Sequence, residues 1–146
     1  MLNPIYAYKR RAYYYETDKM GVVHHSNYIK WFEEARVSML QQAGMPFTEM
    51  EKLGVMCPVL SVSLTYVNSV KFNDEFCVIA KITKFTGFRI EVDYEVVSSD
   101  KSVVFARGNT SHCFVGADMK PVRTKKNFPE IYNVFHEYTD YEPILE

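Results

Sequence analysis

The apolar positions of this chain change their spacing twice. Residues 6–17, "YAYKRRAYYYET", alternate loosely and are rich in tyrosine, a pattern that suits a β-strand. A short polar loop follows. Beyond it Tyr28, Phe32, Ala35, Met39 and Ala43 fall at helical spacing, with Lys30, Glu33, Glu34 and Gln41 among the remaining positions. Gly44 and then Met45-Pro46 mark the stop, because glycine accepts a left-handed cap and proline cannot continue a helix. From Val55 onward the texture is strand-like. The runs "VMCPVLSVSLTYVNSV", "EFCVIAKITKFT", "RIEVDYEVVSS" and "VVFARGNTSHCFVG" are parted by "KFND", "TGF" and "SDK", which read as hairpin turns. Pro58 confines the start of the first of these runs to an edge or a bulge. In the tail, Ile131, Val134, Phe135 and Tyr138 predict a short C-terminal helix within residues 126–146.

The predicted order is a strand, one long helix and a four-stranded meander. A lone helix with apolar residues on much of its circumference needs a surface that wraps it, and a curved antiparallel sheet of five strands would do so. The class is α+β. No repeat, linker or low-complexity tract interrupts residues 1–146, which are expected to form one domain.

Composition narrows the partners. With 47% hydrophobic, 24% charged and 15% aromatic residues, the chain is globular in type. A net charge of −1 gives no bulk attraction to nucleic acid or anionic lipid, though a local basic patch can still hold a phosphorylated ligand. The apolar runs are too short to span a bilayer, and the first residues lack a secretory hydrophobic segment, so a cytoplasmic protein is expected. Cys57, Cys77 and Cys113 are odd in number and set in apolar runs. They read as reduced thiols rather than as zinc ligands or a disulfide framework.

The loop "TDKMGVVHHSN" carries the candidate chemistry. Counting along the first strand puts Tyr14, Glu16 and Asp18 on one face. Gly21 permits a tight bend or the close approach of a ligand. A helix starting near His25-Ser26-Asn27 would present N–H groups without intrahelical partners, and their partial positive charge suits a carbonyl oxygen that becomes an oxyanion. A carboxylate beside such a terminus supplies two parts of acyl-transfer chemistry. The plainer alternatives are an Asp18 that only caps or ion-pairs and a Glu33–Arg36 pair on the helix surface. Likewise, Lys120, Arg123, Lys125 and Lys126 form a run that is ordinarily a solvated patch. Adjacent His24 and His25 do not converge on one metal ion, and His112 and His136 suit structural or exposed roles.

The pattern Y-x-x-T-D-x-x-G-V-V-x-H-x-x-Y-x-x-x-F-E-x-A-R runs from Tyr14 through Thr17, Asp18, Gly21, Val22, Val23, His25, Tyr28, Phe32, Glu33 and Ala35 to Arg36. It resembles the hotdog-fold acyl-CoA thioesterases of the 4-hydroxybenzoyl-CoA type, and within them the bacterial short-chain acyl-CoA branch. "ARGNTSHCFVGADMKPVR" resembles the last strand and Lys-Pro turn of the same family, so nearly the whole domain is covered. The resemblance implies a long central helix wrapped by the sheet, and acyl-CoA as substrate with neither cofactor nor metal. It implies that Asp18 acts as nucleophile or as general base on water. His25 would polarise the thioester carbonyl through its backbone N–H, its imidazole orienting Asp18 or the substrate. Tyr14 would hydrogen-bond near the site, and Gly21, Val22 and Val23 would border the substrate. The phosphates of coenzyme A are expected on Arg123, Lys125 and Lys126, with Arg89 a further candidate. His24 departs from the branch, where an aromatic is common, and receives no role. A homodimer sharing one sheet, often doubled to a homotetramer, is implied, with sites at the subunit interface. Two other functions remain in view. A hotdog dehydratase or hydratase needs an acid–base pair of another kind, and a non-catalytic acyl-CoA-binding module can dispense with the carboxylate that Asp18 retains.

Overall fold

The computed structural model describes residues 2–145, so Met1 and Glu146 lie outside it. Strand β1 (Tyr8–Arg11) leads through a single 3₁₀ turn (Tyr14–Glu16) and a loop into helix α1 (Asn27–Ala43). Helix α2 (Phe47–Lys52) follows, then β2 (Val59–Tyr66), β3 (Glu75–Phe85), β4 (Arg89–Ser98) and β5 (Val104–Cys113). The chain ends in α3 (Thr124–Asn127) and α4 (Pro129–Glu137). The five strands form one antiparallel sheet in the order β1-β3-β4-β5-β2.

This is the expected α+β layout, with three corrections. The first strand covers only four residues of the predicted stretch, because the chain turns into a 3₁₀ helix at Tyr14. The strands after the helix are not a simple meander. The "TGF" and "SDK" turns do join paired neighbours, but β2 pairs with β5 and not with β3. "KFND" is therefore no hairpin turn. It closes instead against the end of β1, where Ala12 and Asn73–Asp74 exchange backbone hydrogen bonds. Helix α2 was not foreseen, although extended Pro46 at its start, Glu49 in its first turn and Lys52 in its last are ordinary helix signals.

Helix α1 stops as its sequence requires. Gly44 takes φ +90°, and Met45 N–H donates back to the Leu40 carbonyl at 2.9 Å. The stripe of Tyr28, Phe32, Ala35, Met39 and Ala43 is buried throughout, together with Trp31 and Leu40. Phe32 stacks on Tyr94 of β4 with ring centroids 4.3 Å apart and planes 10° from parallel. It can do so because Gly108 of β5 has no side chain. A Cβ there would overlap the Phe32 ring and lie 2.8 Å from the Ser63 carbonyl oxygen. Helix and sheet thus meet at a seat shaped for one aromatic ring. At the far end, Phe85 and Phe114 pack against Phe135 of α4.

A polar chain crosses this core. Arg36 Nη1 donates to Tyr94 Oη at 3.4 Å, Tyr94 Oη and Thr110 Oγ1 are 2.8 Å apart, and Thr110 Oγ1 lies 2.8 Å from His112 Nε2. His112 is fully buried, and its Nδ1 has no partner. Burial first, and then the nearby Arg36 cation, push its pKa down from the ordinary 6.5 to about 4. The folded state therefore holds His112 neutral, while the unfolded chain takes up the proton near pH 6.5. Stability contributed by this group is complete above that pH and is lost as pH falls towards 4, by about 3 kcal/mol in all. Chemical denaturation between about pH 7 and 4 should show wild type losing more stability than His112→Gln by that order. Parallel pH profiles would contradict it.

Candidate active site

Everything around the loop is tied to Glu16. This carboxylate is buried at the end of the 3₁₀ turn, and Arg10 Nη1 of β1 donates to it at 2.6 Å. The Tyr13 N–H donates to the same oxygen at 2.9 Å, and Trp31 Nε1 of α1 donates to the other, also at 2.9 Å. Burial opposes ionisation of Glu16. The Arg10 hydrogen bond, followed by the Tyr13 amide and the Trp31 indole, outweighs it and holds the carboxyl below the usual range. Arg10 also donates through Nε to Glu34 of α1 at 2.8 Å, and Tyr8 Oη donates to that carboxylate at 2.9 Å. The Glu16 carbonyl continues the arrangement by accepting the His24 N–H at 2.8 Å and Asn27 Nδ2 at 3.0 Å. One residue thereby spans strand, loop and helix start.

Between these anchors the loop makes a narrow bend. Asp18 N–H donates to Val22 O at 2.8 Å, and Gly21 N–H donates to Asp18 O at 3.1 Å. Gly21 sits at φ +77°, the left-handed region glycine accepts without strain. Thr17 pairs with Val23, and Val22 with Lys71. Asp18 Oδ1 accepts the Met20 N–H at 2.8 Å, while Oδ2 accepts nothing among the described residues. The carboxylate is half-buried, with one oxygen held and the other open.

At the helix entry most amides from His24 to Tyr28 are already engaged. Asn27 N–H is taken by the His24 carbonyl at 3.1 Å and Tyr28 N–H by the His25 carbonyl at 3.4 Å, while Ser26 N–H meets His24 Nδ1 at 3.2 Å. Part of the expected set of open donors is thus taken by groups that precede the helix. Among the described residues only the His25 amide of this run is left without an acceptor. Its carbonyl is steadied by Tyr66 Oη at 3.2 Å. The His25 imidazole is exposed, tilted against His24 with centroids 4.1 Å apart, and forms no hydrogen bond with Asp18.

Asp18, Val23, His25 and Tyr28 line a cleft of about 280 Å³ with Tyr66, Val67, Asn68 and Ser69. The last four come from the end of β2 and the residues just after it, and were missed in the sequence, where nothing in their spacing ties them to the loop. Tyr14 is not in this cleft. The alternation that put it on the Asp18 face does not exist in a 3₁₀ turn, and its ring is 76% exposed, edge-on to Phe72 at 5.7 Å. Gly21 and Val22 shape the bend without lining the cleft. Glu33 and Arg36 form no ion pair among the described residues; Arg36 instead points into the core.

The basic residues lie elsewhere in the chain. Tyr66 pairs with Ala106 at one end of β5, and Arg89 pairs with Cys113 at the other, about 23 Å along the strand. Arg123, Lys125 and Lys126 belong to α3 and its N-cap, which is tied to the β3–β4 turn by Thr124 N–H donating to Gly87 O at 3.2 Å. Among the described residues no cluster of His, Cys, Asp or Glu could hold a metal ion, and no helix is long and apolar enough to cross a membrane.

The family described as the thioesterase-like superfamily matches residues 14–134. A protein of Aquifex aeolicus, named provisionally as an esterase, is 36% identical over 110 residues, 75% of this chain and 84% of its own. The acyl-CoA thioesterase YbgC of Haemophilus influenzae is 27% identical over 139 residues, covering 93% of this chain and 98% of its own. The crystal structure of DHNA-CoA thioesterase from Staphylococcus aureus matches with a TM-score of 0.84 at 29% identity, over 90% of this chain and 89% of that one.

The anchoring of the loop has a measurable consequence. Glu16→Gln keeps the shape of the side chain but leaves the buried Arg10 cation with only the half-exposed Glu34 as counter-charge. Removing one partner of such a pair costs about 3–5 kcal/mol. Chemical denaturation should report a loss of that size, and a loss below about 1 kcal/mol would show that the network does not hold the loop.

Proposed function

The chain belongs to the thioesterase-like superfamily and has its hotdog fold, and from this we propose that it hydrolyses acyl-CoA thioesters at the Asp18 cleft. The observation that carries the proposal is the pairing in one cleft of a carboxylate with an open oxygen and a residue, His25, whose amide has no acceptor. The thioester carbonyl oxygen accepts the His25 N–H, so that charge developing on it meets an oriented dipole. Ionised Asp18 then takes a proton from water as the water oxygen adds to the carbonyl carbon, or adds to that carbon itself and is released by water in a second step. In either course the C–S bond breaks, the thiolate of coenzyme A leaves and is protonated, and the free acid remains.

The cleft is open beside β2, and β2 is an edge strand of unusual character. Val59, Leu60, Val62, Tyr66 and Val67 stay 40–48% exposed, a row of apolar side chains on an unpaired edge. In this reading a second copy pairs antiparallel along β2 and continues the sheet. The basic end of one protomer, with Arg89, Arg123, Lys125 and Lys126, is thereby turned towards the partner's Asp18 cleft. This supports the assignment of those residues to the phosphates of coenzyme A across the subunit boundary. Leu60→Lys combined with Val62→Lys should convert the dimer to a monomer by sedimentation and abolish turnover with it. A fully active monomer would remove the dimer from the proposal.

The central test is Asp18→Asn. Asparagine is nearly isosteric and keeps hydrogen bonding, yet it is neither base nor carboxylate nucleophile. With acyl-CoA binding retained, kcat should fall by roughly 10²–10⁴. Near-normal release of free thiol by a folded Asp18→Asn protein would end this mechanism.

A further inference from the structure

The helix that leads from the Asp18 cleft also buries a cation that forms no ion pair among the described residues. Arg36 is 7% exposed, and from Tyr28 to Arg36 helix α1 rises by about 12 Å. Among the described residues its side chain makes one long hydrogen bond, the 3.4 Å contact with Tyr94 Oη, and its Nε has no partner. The Phe47 ring centroid lies 5.8 Å from the guanidinium carbon. A guanidinium keeps its charge at any working pH, and one buried with so few acceptors is costly to retain. A ligand that brings an acceptor would relieve that cost.

A cleft beside Arg36 offers room for such a ligand. Arg36 lies in the wall of a second cleft, of about 310 Å³, whose other walls are largely apolar: Phe47, Val55, Met56 and Cys57. Exposed Glu33 and Glu51 stand at its margin. An incoming carboxylate would have to pass two like charges, whereas a neutral hydroxyl or keto oxygen meets no such barrier. Cys57, its thiol pushed up to about 12 by burial, stays protonated and adds only a soft wall.

The position of this cleft relates it to the first. Met56 and Cys57 come just before β2, and Val67 and Asn68, which line the Asp18 cleft, come just after it. Antiparallel pairing of β2 with a second copy sets the start of one strand against the end of the other. The Arg36 cleft of one protomer then adjoins the Asp18 cleft of its partner. We propose that Arg36 is a specificity-determining residue that receives a neutral hydroxyl or keto oxygen at the far end of the acyl group whose thioester is held at the partner's Asp18. The inference rests on the thioesterase reading and on the β2 dimer, and it adds a substrate class that neither specifies.

Short- and medium-chain acyl-CoAs that differ only in a terminal methyl, hydroxymethyl or carboxylate group provide the test. Wild type should favour the hydroxylated ester over the plain one by about 10-fold or more in kcat/KM, the effect expected of a hydrogen bond to a charged group, with the carboxylated ester below the hydroxylated. Arg36→Met should bring the hydroxylated and plain esters to within about 2-fold. Equal turnover by wild type, or a preference that survives Arg36→Met, overturns the proposal. Should Arg36→Met fail to fold, Arg36→Lys, which keeps the charge but loses the fork, should shrink the preference, and a full preference there overturns it equally. If no ester releases thiol, the hydrolase reading fails on its own. Calorimetric affinities for the same esters then decide the role of Arg36, equal affinities overturning it. Refolding equal amounts of Asp18→Asn and Arg36→Met chains together should restore hydroxyl-selective turnover. Turnover that stays unselective would overturn the sharing of the site between chains.

Discussion

The buried carboxylate of Glu16 is the constraint on which the candidate site depends. It is held by a guanidinium from β1, an indole from α1 and an amide of its own turn. Its carbonyl accepts from the two groups that begin the descent into the helix. A buried ion pair is weak evidence for net stability, because the desolvation of both charges offsets their attraction. It is better suited to fixing geometry. Few other side chains satisfy these donors together, so the strand end, the bend and the helix start keep one relative position. Asp18 and His25 inherit theirs from it.

That division of labour explains which parts of the molecule were legible in the sequence. The α1 stripe was readable because helical periodicity repeats along one element, and the strands were readable because their residues prefer a pleated, half-buried surface. The partnership of β2 with β5 was not, since adjacency in a sheet with crossovers is decided by global packing and leaves no local mark. Tyr14 was put on the wrong face for a related reason. Its residues alternate like a strand, but burial of Glu16 against Arg10 and Trp31 pulls the segment into a 3₁₀ turn. Asp18, Val23 and His25 line one cleft, while its opposing wall, Tyr66 to Ser69, comes from the end of β2 and the residues after it.

Arg36 belongs to both categories. Its place on the helix was plain, and its spacing from Glu33 suggested an ordinary surface pair. The structure instead turns the side chain inward, to a neutral histidine, a threonine and a tyrosine joined in series. The same cation that borders the second cleft helps keep His112 uncharged. A replacement there would alter the acid response of the core as well as the second cleft.

The pairing of β2 with β5 also bears on how the chain comes to be folded. β2 is made well before β5, its one neighbour in the sheet among the described residues, which is completed at Cys113. While β3, β4 and β5 emerge from the ribosome, β2 has neither a hairpin partner nor an edge to dock on. Its row of valine, leucine and tyrosine stays available to other chains throughout that interval, a circumstance that favours misassembly during synthesis. Closure of the sheet by this long-range ladder has to await synthesis of β5. The strand whose partner is completed last is the same one whose outer edge stays unpaired after the chain has closed.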